Sequence, residues 1–371
     1  MKLSEVKGRV FVVFFALALP AASSRAVLFK DTGDPSFNTN APTGSLTNSG
    51  WQYEGSWNTS AGNFLGTPIA PTFFLAAHHV EGTTGSVFVL NGFSYHTVAF
   101  FDCPDSDLRI WQVAETFPFY APLYTATDEV GKHCVVFGRG TQRGDAVVVE
   151  PRTNGWKWGA VDSVERWGEN DVSSIANGGA GLGQFLRCKF DRNGGSNECH
   201  LSRFDSSGAL FIQSGSTWKL AGIHYAVDEQ LFSLDGTTNT QFEAALLDQN
   251  GLYQWNGSGW NPPPSVTSTD NASAFYSTRI STNLSWINSH INFEPGNDLR
   301  MAGIQIVGSD VQLHLSTGSN RVYRVEHTSD LSTGVWTTVT NNLIGDGSIM
   351  TIVDPGGGNQ PQQFYRAALL Q

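Results

Sequence analysis

Three short, widely separated segments of this chain carry an imidazole, a carboxylate and a hydroxyl: Ala76-Ala77-His78, Ser106-Asp107-Leu108-Arg109-Ile110 and Asp205-Ser206-Ser207-Gly208-Ala209-Leu210-Phe211. Acyl transfer needs this set, because a hydroxyl is a weak nucleophile until an imidazole takes its proton, and the imidazole needs a buried carboxylate to fix its tautomer. A second histidine, His79, follows His78 directly and reads as a solvated loop residue. Taken singly, an Asp within Pro104-Asp105-Ser106-Asp107 is a turn residue; the alternating strand that follows raises Asp107 above Asp102 and Asp105.

Such groups converge only if strands carry them. From Trp51 to Val113, apolar stretches are broken by Gly, Asn and Asp, as in Phe73-Phe74-Leu75, Val87-Phe88-Val89-Leu90 and Leu108-Arg109-Ile110-Trp111, and this spacing predicts a first six-stranded barrel. Val135-Val136-Phe137, Ala146-Val147-Val148-Val149, Leu210-Phe211-Ile212 and Trp218 to Ile223 predict a second. Leu231 to Trp260 reads as a loop or insertion ahead of Pro262-Pro263-Pro264. Within Ser273 to Ile291, Ile280, Leu284, Ile287 and Ile291 lay one apolar stripe along an expected helix. Past Pro295-Gly296 about six alternating segments predict a small β-sandwich. Asn177 to Gly183 lacks the Lys-Ser/Thr of a phosphate loop, and Arg143-Gly144-Asp145 reads as a hairpin turn.

Forty glycines and only 15% charged residues favour short strands and tight turns, so the class is mostly β. A net charge of −11 without a Lys/Arg cluster argues against nucleic acid or an anionic membrane as partner. Lys2, Lys7 and Arg9, the apolar run Val10 to Leu19 and the small residues up to Ala26 read as a secretory signal, cleaved after Ala26 or after Ala22. The run is too short to span a bilayer, so a secreted (extracellular or periplasmic) protein without a stable membrane anchor is expected. The division expected is 1–26 signal peptide, 27–292 catalytic domain and 293–371 C-terminal module. Four cysteines in an exported chain suggest two disulfides, with Cys188–Cys199 clipping the glycine-rich loop and Cys103–Cys134 left over, although three connectivities are open. No C-x-x-C or H-E-x-x-H is present, and no metal or cofactor is expected.

The order His, Asp, Ser, together with Phe275 to Ile280 and Leu284-Ser285-Trp286-Ile287, resembles the chymotrypsin/trypsin-like serine protease family over roughly Trp51 to Ile291. The resemblance implies two six-stranded antiparallel β-barrels with a C-terminal helix, and a secreted serine endopeptidase acting on proteins or peptides. In the family pattern two small residues immediately precede the general base, which selects His78; His79 stands where the family has Cys. Asp107 matches the orienting carboxylate. Ser206 aligns with the nucleophile when Asp205 is taken as the family's Asp, and Ser207 is the alternative if the register is off by one. Ser207 and Ala209 replace a glycine and a proline. Backbone N–H groups of Phe204 and Ser206 form the implied oxyanion hole, with Phe204 in place of glycine. No Arg-Ile-Val-Gly-Gly activation site precedes the domain, so Asp205 is expected to find an internal Arg or backbone donors. His200 occupies the pocket-floor position and His224 the place where glutamate-specific members carry a histidine; both are candidate substrate-pocket residues, and an acidic P1 side chain is the implied preference. A core role for His224 stands beside that reading. The alternative is a catalytically impaired, protease-like binding protein acting through its C-terminal module. That module resembles those appended to secreted bacterial proteins ending in a Phe-Tyr-Arg strand, as Phe364-Tyr365-Arg366 does here; its ligand is unspecified.

Overall fold

The structure, a computed structural model, describes residues 27–228, 230–291, 299–318 and 321–370. The expected signal at 1–26 lies outside the described residues.

Six antiparallel strands close the first barrel: β1 (Gly55–Thr59), β2 (Gly62–Ala70), β3 (Phe73–Ala77), β4 (Val87–Leu90), β5 (Phe93–Asp102) and β6 (Leu108–Val113), in the order β1-β2-β3-β6-β5-β4. Alternation sends Trp57, Phe74, Phe88 and Trp111 inward, where their rings pack on one another. The close approach needs Gly55, since a Cβ there would stand 2.1 Å from the Phe88 ring.

The second barrel is closed by β7 (His133–Gly138), β8 (Arg166–Gly179), β9 (Gly183–Lys189), β10 (Ala209–Ser214), β11 (Thr217–Val227) and β12 (Ala274–Arg279), in the order β8-β9-β12-β11-β10-β7. The helix α1 (Leu284–Ile291) follows, burying Ile287 and Ile291. The predicted stripe from Ile280 is thus shorter as a helix than expected. Residues 274–279 are the strand that closes the barrel, paired on both sides with β9 and β11.

Two further expectations are corrected. Ala146 to Val149 do not join the barrel; they lie in Thr141–Val149, which pairs with Arg152–Val161 in a separate three-stranded sheet, and Arg143-Gly144-Asp145 sits inside that strand rather than at a turn. Part of 231–260 forms a small sheet of Phe232–Ser233, Tyr253–Trp255 and Trp260–Asn261. At the start of the described chain, Leu28–Phe29 pairs with Cys199–His200, and Lys30 donates from Nζ to the carbonyls of Arg192 and Gly194.

One apolar cluster runs through both barrels, joining Trp57, Phe74, Phe88 and Trp111 to Phe137, Phe211, Leu220 and Ile223. Burial of each such ring contributes about 1.5–3 kcal/mol, so the seam between the barrels is fixed by core packing. A second cluster fills the other barrel and contains Cys134, Cys188 and Cys199. All four cysteines are free and buried, so neither expected disulfide is present. Cys103 belongs to the seam cluster and points its thiol at Asn283, while Cys134 has Cys188 as its sulfur neighbour, which separates the expected Cys103–Cys134 pair.

Residues 300–369 add two three-stranded sheets, β13 (Arg300–Val307), β14 (Asp310–Ser316) and β17 (Ile349–Asp354), then β15 (Val322–Thr328), β16 (Thr337–Ile344) and β18 (Phe364–Leu369). They share their own core of Val311, Leu313, Leu315, Tyr323, Val325 and Ile352. This unit meets the segment between the barrels where the Tyr120 and Ser316 hydroxyls lie 3.0 Å apart. No helix among the described residues is long and apolar enough to cross a membrane.

Candidate active site

The strand β3 ends at Ala77, and the next three residues form a single 3-10 turn, His78–Val80. That turn decides which histidine faces the seam. His78 leaves the strand toward Asp102, its Nε2 3.7 Å from that carboxylate, and is half exposed. His79, one step on, places Nδ1 2.6 Å from Asp107 Oδ2 and Nε2 2.8 Å from Ser206 Oγ. The imidazole of the constellation is therefore His79, and the expectation for His78 is corrected: the strand ends at Ala77, and the 3-10 turn aims its second residue rather than its first at Asp107 and Ser206. Asp102, in turn, is engaged by Arg109, whose Nε and Nη2 donate to it.

Asp107 is buried, and its other oxygen accepts the backbone N–H of His79 at 3.0 Å. The carboxylate thus holds both the ring and the peptide that bears it. With Nδ1–H donating to Asp107, Nε2 is left as acceptor for the Ser206 hydroxyl. The ring edge of Tyr225, on β11, stands against His79 with centroids 5.5 Å apart.

The segment before β10 supplies the hydroxyl and the amides. Asp205 N–H bonds Ser202 O, Ser207 N–H bonds His224 O, and Gly208 N–H bonds Asp205 O, so no bond of this loop among the described residues uses the N–H of Phe204 or Ser206. Phe204 has φ +70°, the left-handed region that favours glycine, and its ring, 36% exposed, leans on Phe64 and Gly62. Asp205 is buried. Its Oδ1 accepts from Gly140 N–H at 2.7 Å, and its Oδ2 from Ser202 N–H at 2.7 Å and the Ser202 hydroxyl at 2.8 Å. Burial pushes its carboxyl up to about 6 against the pull of those donors.

His200 and His224 do not line an open pocket. His200 is wholly buried between Phe190 and Phe275, with Nδ1 2.5 Å from Leu201 O and Nε2 3.2 Å from Ser273 Oγ, and burial lowers its pKa. His224 is buried against Phe275, bonds Ser277 Oγ at 2.8 Å, and burial drives its pKa to about 3. Both rings are enclosed and burial disfavours their charged forms, so neither is placed to offer counter-charge to an acidic side chain, and the expected pocket role of His200 and His224 is corrected to a core one.

Sequence reasoning missed two participants. His79 was legible only as the second of a doublet. Ser207 was legible as a serine after the nucleophile, with no sign that its hydroxyl crosses to the other barrel.

The two closed six-stranded barrels and the terminal helix define a chymotrypsin-like fold with added β sheets. No protein-family model matches the sequence, and no curated protein matches it. Among solved structures the chain is similar to neuropsin, a serine protease expressed in the limbic system of mouse brain, at 13% identity and TM-score 0.39, over 64% of this chain and 93% of that one. It is also similar to human heparin binding protein, at 16% identity and TM-score 0.38, over 68% of this chain and 96% of that one.

Proposed function

We propose that this chain is an exported serine endopeptidase in which Ser206 is the nucleophile, His79 the general base and acid, and Asp107 the residue that orients His79. The observation that carries the reading is the unbroken line Asp107 Oδ2, His79 Nδ1, His79 Nε2, Ser206 Oγ, with links of 2.6 and 2.8 Å. Ser206 Oγ attacks the scissile carbonyl as its proton passes to Nε2. The carbonyl oxygen gains charge and is received by the N–H groups of Phe204 and Ser206. The imidazolium, stabilised by Asp107, gives its proton to the leaving amine, and an acyl-enzyme remains. Water then attacks the ester carbon, His79 takes its proton, and Ser206 is released. Export rests on the leader-like residues 1–26, and the catalytic part is taken as 27–292, followed by the module at 293–371.

The test is covalent labelling with a fluorophosphonate probe. Stoichiometric labelling that Ser206→Ala removes supports the reading; an unlabelled wild-type protein refutes it.

A further inference from the structure

Ser207, one residue past the proposed nucleophile, is fully buried and held at φ +69°. A Cβ is disfavoured in that conformation and glycine is not, so a serine there stands against the local backbone preference. Its hydroxyl accepts the N–H of Ala77 at 3.0 Å, across the seam and 130 positions away in the chain. Ala77 is the last residue of β3 and stands two before His79. The pairing of β2 with β3 ends at Thr67 opposite Leu75; on the other edge Ala77 stands opposite Leu108 of β6, whose carbonyl accepts from Cys103 N–H while the neighbouring bond runs from His78 N–H to Asp107 O, so the Ala77 N–H would be a buried donor without Ser207. On the other side, Ser207 N–H donates to His224 O at 2.9 Å, and His224 N–H returns to Gly208 O at 2.8 Å. The backbone of Ser207 is thus pinned to the second barrel while its side chain is pinned to the first.

We infer that Ser207 is a positioning residue that ties the nucleophile loop of one barrel to the histidine-bearing strand end of the other, and so sets the 2.8 Å approach of His79 to Ser206. The inference rests on the hydrolase reading above. Small misplacements of reacting groups are costly, about a hundredfold for 1 Å, so a tie two residues from the base and one from the nucleophile bears directly on rate.

Two variants test it. Ser207→Gly suits the backbone conformation and removes only the tie; Ser207→Ala removes the tie and keeps the Cβ. The measurements are thermal melting and the concentration dependence of fluorophosphonate labelling at Ser206, per folded molecule. The expected result for both variants is a maximal labelling rate lower by at least about fivefold, with the half-saturating probe concentration unchanged within about twofold. A smaller fall in Ser207→Gly overturns the inference. So does a Ser207→Gly protein that does not fold, because the hydroxyl would then serve folding alone. If the wild-type protein is not labelled, the hydrolase reading fails and takes this inference with it, an outcome distinguished by the unmodified protein.

Discussion

At the scale of residues, Asp107 has two hydrogen bonds to one histidine, from the ring and from its own peptide, and only His79 has both. Replacing His79 by Ala is expected to lower the labelling rate of Ser206 by about 10⁴-fold or more, whereas His78→Ala, which removes a half-exposed ring near Asp102, leaves it within about threefold. Equal losses in the two variants would contradict the assignment. Asp107→Asn presents an amide donor to Nδ1, favours the wrong tautomer, and is expected to cost about 10⁴-fold with melting little changed. The types and chain order of the three groups were legible in the sequence. The choice between adjacent histidines was not, because it depends on where a strand ends and a single turn of 3-10 helix begins, and one residue there swings the side chain to another face.

At the scale of elements, the loop from Ser202 to Gly208 meets a buried, carboxyl-rich flank. Arg139, beside Gly140, donates to Ser163 O and Ser56 Oγ. Nearby, burial raises the Glu165 carboxyl to about 8 against the pull of Arg139, and burial, with the charge of Glu165 added, raises Glu54 well above its usual range. Unfolded, Glu165 ionises near 4.5; folded, it keeps its proton to about 8. Its contribution is therefore fully present below about pH 4.5 and is lost as pH rises through 8, since the native state binds the extra proton. Glu165→Gln is expected to flatten the fall in melting temperature between pH 5 and 9, measured by scanning calorimetry; an unchanged slope contradicts it. Phe204→Gly relieves a left-handed φ while keeping the amide, so labelling is expected to hold within about threefold of wild type. Elements were read well where alternation was long and poorly where pairing, not period, decides. Ile280, Leu284, Ile287 and Ile291 satisfy a helical stripe, yet Ala274 to Arg279, just ahead of it and without alternation, is drawn into the barrel by partners on both edges.

At the scale of the whole molecule, the barrels share one core across their seam, while the C-terminal sheets have a separate one. Calorimetry is expected to show the barrels unfolding together and the residues beyond 299 in a transition of their own, and separate melting of the two barrels would contradict this. That two β-barrels precede a third β unit was readable from the spacing of apolar runs. That the cysteines do not pair was hidden, because sequence separation says nothing of which core a thiol enters, and Cys103 and Cys134 enter different ones.

The strand Leu28–Phe29 is buried beside Cys199–His200, two positions before Ser202, whose N–H and hydroxyl secure Asp205 and thereby the peptides on either side of it. The head of the described chain thus pairs with the segment that leads into the proposed nucleophile loop. On the proposed reading, molecules that retain Val27 to Lys30 are expected to label with the fluorophosphonate probe faster than those trimmed past Phe29, and equal labelling of the two would contradict it.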